Sequence, residues 1–125
     1  MLRLLLVSQD KNKFKDLISA LKGYEDVELE FSDSGEKTLA IISIKAVDLI
    51  VADEDLGDIT GLELTRRLLK INAMINFAVV SNLSHDDFHE ASEGLGIMTQ
   101  LPGQPGEKDA ESLIKTLKQI KGMLN

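Results

Sequence analysis

The chain has 125 residues, of which 43% are hydrophobic, 28% are charged and only 4% are aromatic. These proportions are typical of one soluble globular domain, predicted over residues 1–125, with a core of aliphatic side chains. The chain has no cysteine, which excludes disulfides and thiolate metal sites. Its net charge is −7, so we expect no direct nucleic-acid binding, which needs clustered Lys and Arg. An acidic surface suits a cation or a basic protein partner.

The apolar start of the chain predicts a buried strand at residues 4–7 rather than a targeting segment. This run is short, and polar residues follow it without a small-residue cleavage site. No apolar run approaches the roughly 20 residues that are needed to cross a bilayer. We therefore expect a cytoplasmic protein that does not interact with membranes.

In the first half of the chain, predicted strands alternate with predicted helices. The strands are residues 4–7, 27–31 and 49–52. Two stripes with helical spacing lie between them: Phe14, Leu17, Ile18 and Leu21, then Leu39, Ile42 and Ala46. Asp33 and Glu36 predict a capping box at the start of the second helix. The continuous apolar run at 49–52 indicates a central strand.

The second half of the chain continues the same alternation. Its predicted strands are residues 77–80 and a short fifth strand at 96–100. The helical stripes are Leu64, Leu68 and Ile71, then Phe88, Ala91 and Leu95, and finally Leu113, Ile114, Leu117, Ile120 and Leu124. Residues 84–87 resemble a capping box before the fourth helix, and residues 102–106 predict a turn.

This alternation predicts a parallel α/β sheet with helices on both faces and right-handed crossovers. In such open sheets the functional site lies at the carboxyl ends of the strands, near the point where the strand order reverses. The site is therefore expected among residues 8–10, 53–61, 81–82 and 99–102.

The predicted edge is rich in carboxylates. Asp10 follows the first strand, and Asp53 and Asp55 follow the third. Converging carboxylates repel one another unless a cation or a proton compensates them, and Mg²⁺ prefers oxygen ligands of this kind. These three residues are the candidate metal ligands. Alternatively, Asp10 caps the first helix, and Asp55 and Asp58 stabilise a turn.

Residues 47–64, VDLIVADEDLGDITGLEL, resemble the core of the receiver domain of two-component response regulators. The family pattern is an aliphatic strand that ends in the phosphate-accepting Asp, then Leu or Met three residues on, Pro four on and Gly eight on. Asp53, Leu56, Gly57 and Gly61 stand at these positions, so only the proline is replaced. The pair at residues 35–36 also resembles the family, and the whole chain has its length and order of elements.

The resemblance implies a flavodoxin-like fold with strand order 2-1-3-4-5 and a signalling module that is not an enzyme. It implies that Asp53 accepts a phosphoryl group with the help of Mg²⁺. The implied partner is a histidine kinase or a phosphotransfer protein, and a homodimer through the last two helices and the fifth strand is a further expectation. The sequence has no output domain after the last helix, and the module is expected to act either alone or as part of a longer protein.

Several positions depart from the family pattern. The resemblance places an acidic pair at Ser8 and Gln9, or at Gln9 and Asp10 if the match is shifted by one residue. At least one acid is missing in either case, so Mg²⁺ binding is expected to be weak. Leu101 replaces the lysine that pairs with a phosphoryl oxygen, and Met98 stands at the aromatic switch position. Ser81 keeps the hydroxyl that meets the phosphate, although it could also be a strand-end hydroxyl.

Two versions of the function follow. In the first, Asp53 is phosphorylated at a weakened site. In the second, the chain is a pseudo-receiver that binds proteins without phosphorylation.

Two weaker patterns favour other functions, a metal site and a phosphatase. His85 and His89 have the spacing of metal ligands on one helix face, although solvent-exposed side chains explain them more simply. The sequence at residues 53–55 resembles the DxD motif of aspartate-nucleophile phosphatases, but Gly57 stands where those enzymes carry Thr or Val.

Overall fold

A computed structural model describes residues 1–122 of the chain. Its five strands are β1 (Leu2–Val7), β2 (Val27–Ser32), β3 (Leu49–Ala52), β4 (Asn76–Val80) and β5 (Thr99–Leu101). All neighbouring strands pair in parallel, and the order across the sheet is β2-β1-β3-β4-β5. The predicted doubly wound, flavodoxin-like sheet is confirmed.

Five α-helices connect the strands: α1 (Lys15–Leu21), α2 (Gly35–Ile42), α3 (Gly61–Ile71), α4 (His85–Ala91) and α5 (Glu107–Ile120). A 3₁₀ turn (Lys11–Phe14) precedes α1 and carries the chain away from the end of β1. Within residues 1–122, no helix has the length and apolar character needed to span a membrane.

Strand side chains alternate between two apolar cores, one on each face of the sheet. Leu4 and Leu6 of β1 pack with buried residues of α1 and α5, including Leu17 and Leu113. Leu5 and Val7 belong to the opposite core with residues of α2 and α3. This two-residue period explains why β1 and β3 read as continuous apolar runs in the sequence, because both faces of a central parallel strand are covered.

The fifth strand differs from its prediction at both ends. It covers Thr99–Leu101 instead of residues 96–100. Gly96 has a φ of +63°, a left-handed conformation that is incompatible with an extended strand. Gly96 therefore belongs to the turn that precedes β5.

Helix ends account for the remaining differences. Ala46 lies beyond the end of α2 and is exposed, and Leu95 lies in the turn after α4, so neither belongs to its predicted stripe. The cap of α2 is Ser34, whose hydroxyl accepts the Lys37 N–H, and not Asp33. Leu124, the last residue of the predicted α5 stripe, lies outside the described residues.

Candidate functional site

The carboxyl ends of β1, β3 and β4 meet at one edge of the sheet, which places Ser8, Asp53 and Ser81 directly after three neighbouring strands. The Asp53 N–H donates to the Val7 carbonyl at 2.9 Å, and the Ser81 N–H donates to the Leu101 carbonyl at 3.1 Å. These backbone hydrogen bonds extend the strand pairing past the last strand residues. The positions of the side chains at this edge are therefore set by the rigid sheet.

Asp53 is a buried carboxylate with donors on both oxygens. Its residue exposure is only 2%. Oδ1 accepts the Glu54 N–H at 2.8 Å, and Oδ2 accepts the Ser8 hydroxyl at 2.8 Å. The Ser8 hydroxyl also lies 3.0 Å from the Asp10 carbonyl. Since it has one hydrogen, we assign that hydrogen to the closer and charged carboxylate oxygen.

Lys13 supplies a positive charge to this carboxylate. Its Nζ lies 3.3 Å from Asp53 Oδ2, and its side chain remains 48% exposed. Lys13 is absent from the predicted site residues, because the sequence does not say where a lysine in a turn directs its side chain. The available signal was its position three residues after Asp10, the residue that caps this turn.

The carboxylates of Asp10 and Asp55 make local contacts with the backbone. Asp10 Oδ1 accepts the Asn12 N–H at 3.0 Å and caps the 3₁₀ turn. Asp55 Oδ1 accepts the Gly57 N–H at 2.8 Å within the β3–α3 loop. Asp10 therefore acts as a helix cap and Asp55 stabilises a turn, as the structural alternative for these residues predicts.

The three predicted metal ligands are not gathered into one cluster. Among residues 1–122, no group of three His, Cys, Asp or Glu side chains is arranged to hold a metal ion. The structure thus does not assemble the predicted ligand set of Asp10, Asp53 and Asp55. His85 and His89 are exposed on α4, and they too lack a third ligand of this kind.

Gln9, at the second position of the expected acidic pair, lies beside the β3–α3 loop. Gly57 has a φ of +87°, and a Cβ on it would lie 2.3 Å from Gln9 Nε2. Gly57 therefore provides both a left-handed turn and room for the Gln9 amide. This arrangement accounts physically for glycine at the position where the family usually has proline, whose φ is fixed near −65°.

Ser81 is held in a local network at the end of β4. It is 7% exposed, and its Oγ accepts the Leu83 N–H at 3.1 Å. The Gln100 side-chain amide donates to the carbonyls of Ser81 and Leu83 at 3.2 and 2.8 Å. Glu54 Oε2 accepts the neighbouring Asn82 N–H at 2.8 Å. The β4–α4 loop is thus tied to both the β3–α3 loop and β5.

Leu101 and Met98 pack into the hydrophobic core. Leu101 is 2% exposed and belongs to the apolar cluster that includes Val80 and Leu113. Met98 is partly buried and packs against the same cluster. Leu101 therefore fills apolar space, as expected if this position had lost its contact with a phosphoryl group.

The sequence matches the family described as the response regulator receiver domain over residues 4–115. No curated protein matches it significantly. Its structure resembles a CheY-like receiver domain protein of Methanospirillum hungatei JF-1, with 20% identity, a TM-score of 0.83 and 99% coverage of both chains. It also resembles the chemotaxis response regulator CheY4 of Vibrio cholerae, with 14% identity, a TM-score of 0.80, and coverage of 94% of this chain and 98% of that chain. The signal receiver domain of an HD domain-containing protein from Pseudomonas fluorescens Pf-5 has 16% identity and a TM-score of 0.82, with 98% of this chain and 90% of that chain covered. At these low identities, the structural similarity shows a shared fold and nothing further.

Proposed function

Because this chain belongs to the response regulator receiver domain family, we propose that it is a signalling module that binds proteins while Asp53 stays unphosphorylated. The observation that carries this proposal is the closed environment of Asp53. Its Oδ2 contacts both the Ser8 hydroxyl and the Lys13 ammonium, and the residue is 2% exposed. The pseudo-receiver is thus preferred to the phosphorylated receiver, and neither version is an enzyme.

The chemistry of phosphoryl transfer supports this preference. A carboxylate attacks a phosphoryl group only where the charge on the transferring oxygens is neutralised. One oxygen of each of the expected metal ligands Asp10 and Asp55 accepts a backbone N–H. Leu101 packs in the core and offers no cation to a phosphoryl oxygen. The site therefore lacks the lysine that the resemblance implies, and within residues 1–122 it has no cluster of three acidic side chains to hold a metal ion.

In this proposal, the ion pair and the hydrogen bonds of Asp53 have a structural role. Ser8 and Lys13 connect the end of β1 to the end of β3 through one carboxylate. This fixes the loops at the carboxyl edge in one arrangement, and a preorganised surface loses less entropy when it binds a partner. Kinases and phosphotransfer proteins are the partners of the family, and a net charge of −7 favours a partner with a basic surface. A second copy of the chain, docked through α4, β5 and α5, is the alternative partner.

Phosphorylation of Asp53 is the second candidate, and one observation favours it. Oδ1 accepts a single hydrogen bond, from the Glu54 N–H, whereas a carboxylate oxygen has two lone pairs. One lone pair of Oδ1 is therefore free to attack a phosphoryl group that can reach it. The half-exposed Lys13 would have to remain beside the incoming charge in place of the missing lysine.

Incubation with acetyl phosphate and Mg²⁺, followed by intact-mass measurement, tests the proposal. We expect no phosphoryl adduct on the wild-type chain under conditions that label a receiver with the full set of site residues. Asp53→Asn is the matched control, because it keeps the shape of the side chain and removes the nucleophile. A wild-type adduct that disappears in Asp53→Asn would support phosphorylation and contradict the proposal. Release of inorganic phosphate over many turnovers would instead support the phosphatase interpretation.

A further inference from the structure

The 3₁₀ turn after β1 carries two lysines with different contacts. Lys13 Nζ lies 3.3 Å from Asp53 Oδ2, whereas Lys11 Nζ lies over the Phe31 ring, 3.8 Å from its centroid. The Lys13 N–H donates to the Asp10 carbonyl at 3.1 Å, and the Asp10 side chain caps the turn. The capped turn therefore fixes the backbone from which Lys13 reaches the buried carboxylate.

Asp53 needs a positive charge at this position, because a buried and uncompensated carboxylate is strongly destabilising. Ser8 and the Glu54 N–H are neutral donors. Lys13 supplies the full charge. The Asp53–Lys13 pair is therefore electrically neutral without a metal ion.

An ion on Oδ2 would compete directly with this ammonium. Mg²⁺ binds carboxylate oxygens at about 2.0–2.1 Å, so it would lie within a few ångströms of Lys13 Nζ and repel it. The ion would also need Oδ2 to give up a donor, since Ser8 and Lys13 already occupy that oxygen. An ion on the free lone pair of Oδ1 would still share one carboxylate with the Lys13 ammonium and be repelled by it. Within residues 1–122 no group of three acidic side chains is arranged to compensate for this repulsion, and one oxygen each of Asp10 and Asp55 already accepts a backbone N–H.

We propose that Lys13 is the resident counter-ion of Asp53 and that it keeps divalent cations off this carboxylate. Lys13 is a positioning and specificity-determining residue in this role. This role of Lys13 rests on the proposed function, in which Asp53 is not phosphorylated and needs no metal ion. It predicts a gain of metal binding when the ammonium is removed.

The test is a titration with Mn²⁺, a paramagnetic ion that also prefers carboxylate oxygen. Line broadening of the Ser8, Asp53 and Glu54 amide signals is measured by NMR in the wild type and in Lys13→Met. These local signals separate binding at Asp53 from weak binding elsewhere on the acidic surface. The apparent Kd at Asp53 is expected to fall by about tenfold or more in Lys13→Met, the factor by which a nearby charge commonly changes proton affinity.

Two variants control for charge and for folding. Lys11→Met removes the same charge from the same turn without touching Asp53, so its Kd should match the wild type. Lys13→Arg keeps a cation at the site and should also match it. Circular dichroism checks that each variant is folded, and Lys13→Gln replaces Lys13→Met if the latter is not.

The outcomes distinguish this inference from the proposed function. Equal Mn²⁺ affinity at Asp53 in the wild type and Lys13→Met, or an equal gain in Lys11→Met, would overturn the role of Lys13. Phosphoryl labelling of wild-type Asp53 would overturn the proposed function but would leave the Mn²⁺ comparison interpretable. Asp53→Asn in the Lys13→Met background should abolish the gained site, and its persistence would place the ion elsewhere.

Discussion

A carboxylate as buried as Asp53 needs donors that replace the water that it has lost. Ser8 provides one of these donors at 2.8 Å, and the same hydroxyl accepts the Asp10 N–H at 3.0 Å. Ser8 thus links the carboxylate to the turn that carries Lys13. Ser8, a neutral residue at a position of the expected acidic pair, therefore has a structural role.

Ser8→Ala is expected to lower the free energy of unfolding by about 1.5–3 kcal/mol, the range for hydrogen bonds to charged groups. Urea denaturation measures this loss. Ser19→Ala, at an exposed position of α1, is the control and should change stability by less than about 0.5 kcal/mol. A double-mutant cycle with Asp53→Asn isolates the contact between the two side chains. An additive cycle would show that Ser8 stabilises only the turn.

Leu101 is the position where the structure decides between two predictions for one substitution. If its side chain faced the site, lysine there would restore contact with a phosphoryl group. It is instead 2% exposed among apolar residues, so lysine must bury an ammonium without a partner. The substitution should therefore act on folding.

Leu101→Lys is expected to lower the free energy of unfolding by about 2–5 kcal/mol, comparable with the loss of a large core side chain. Leu101→Met, which nearly conserves volume, should cost less than about 1.5 kcal/mol. Thermal and urea denaturation of both variants provide the comparison. Near-wild-type stability of Leu101→Lys, together with a stronger response to beryllofluoride, would instead show that the position faces the site.

The junction between β3 and α3 holds the helix close to the strand end. Gly61 is the first residue of α3, and a Cβ there would lie 2.5 Å from the Asp53 carbonyl oxygen. Thr60 caps the helix by accepting the Glu63 N–H at 3.1 Å. The Gly61 position is thus explained by close packing against the backbone of the site.

Gly61→Ala is expected to destabilise the fold by about 1–3 kcal/mol, the usual cost of overpacking. Gly106→Ala is the matched control, because a Cβ at Gly106 meets nothing within 4 Å. Its effect should be smaller, within about 1 kcal/mol. Equal losses in the two variants would mean that the close approach at Gly61 relaxes without strain.

Asp58 joins two elements and makes stability depend on pH. Its Oδ1 and Oδ2 accept the Gly35 and Glu36 N–H groups at 3.0 and 2.9 Å. These two hydrogen bonds hold the pKa of Asp58 below its ordinary value of 3.8. A carboxylate with a lowered pKa contributes stability that is complete above its ordinary pKa and is lost as the pH falls through the lowered value.

Urea denaturation between about pH 6 and pH 3 should therefore show a smaller acid-induced loss of stability in Asp58→Asn than in the wild type. At neutral pH the variant should be less stable, because two charge-assisted hydrogen bonds to the start of α2 are weakened. Asp33→Asn changes the same charge at the same junction, where Asp33 pairs with the Lys37 side chain, and is the control. An acid profile of Asp58→Asn identical to the wild type would remove Asp58 from this account.

Element type was predictable because apolar periodicity differs between strands and helices, and the boundaries were less so. The alternation of apolar patterns predicts the sheet correctly. It extends α2 to Ala46, although the helix ends at Ile42, and it starts β5 at Gly96, although the strand begins at Thr99. Such ends depend on left-handed glycines and on caps such as Ser34, which local pattern alone does not rank. Asp58 accepts the first N–H groups of α2 from another loop. Such a long-range contact has no signature in the local sequence.

Across the molecule, topology places Asp53 correctly but does not determine its chemistry. Strand order brings the ends of β1, β3 and β4 to one edge, and this follows from the alternation of apolar runs. Whether Asp53 meets a metal or an ammonium depends on the direction of one side chain in the 3₁₀ turn. Lys13 was therefore missed, although the positions of Asp53 and Ser81 at this edge agree with the prediction.

Communication from Asp53 to the opposite end of the sheet requires an element with two arrangements. The β4–α4 loop is the segment between Asp53 and β5, and it is tied on both sides. Gln100 donates to the Ser81 and Leu83 carbonyls from β5, and Glu54 accepts the Asn82 N–H from the other side. A ligand shifts such a loop only if it binds one arrangement better than the other.

Beryllofluoride with Mg²⁺ is therefore expected to leave amide hydrogen exchange of the wild-type chain unchanged at residues 81–84 and 98–101. Lys13 and Ser8 obstruct the ligand at Asp53, and Leu101 cannot couple it to β5. Gln100→Ala should raise the exchange rate of the Leu83 amide whether or not beryllofluoride is present, since it releases the loop from β5. A receiver with the full set of site residues provides the positive control for the ligand. Protection that develops around Ser81 and Met98 in the wild type, and is lost in Asp53→Asn, would mean that the switch is intact and that the loop retains a second arrangement.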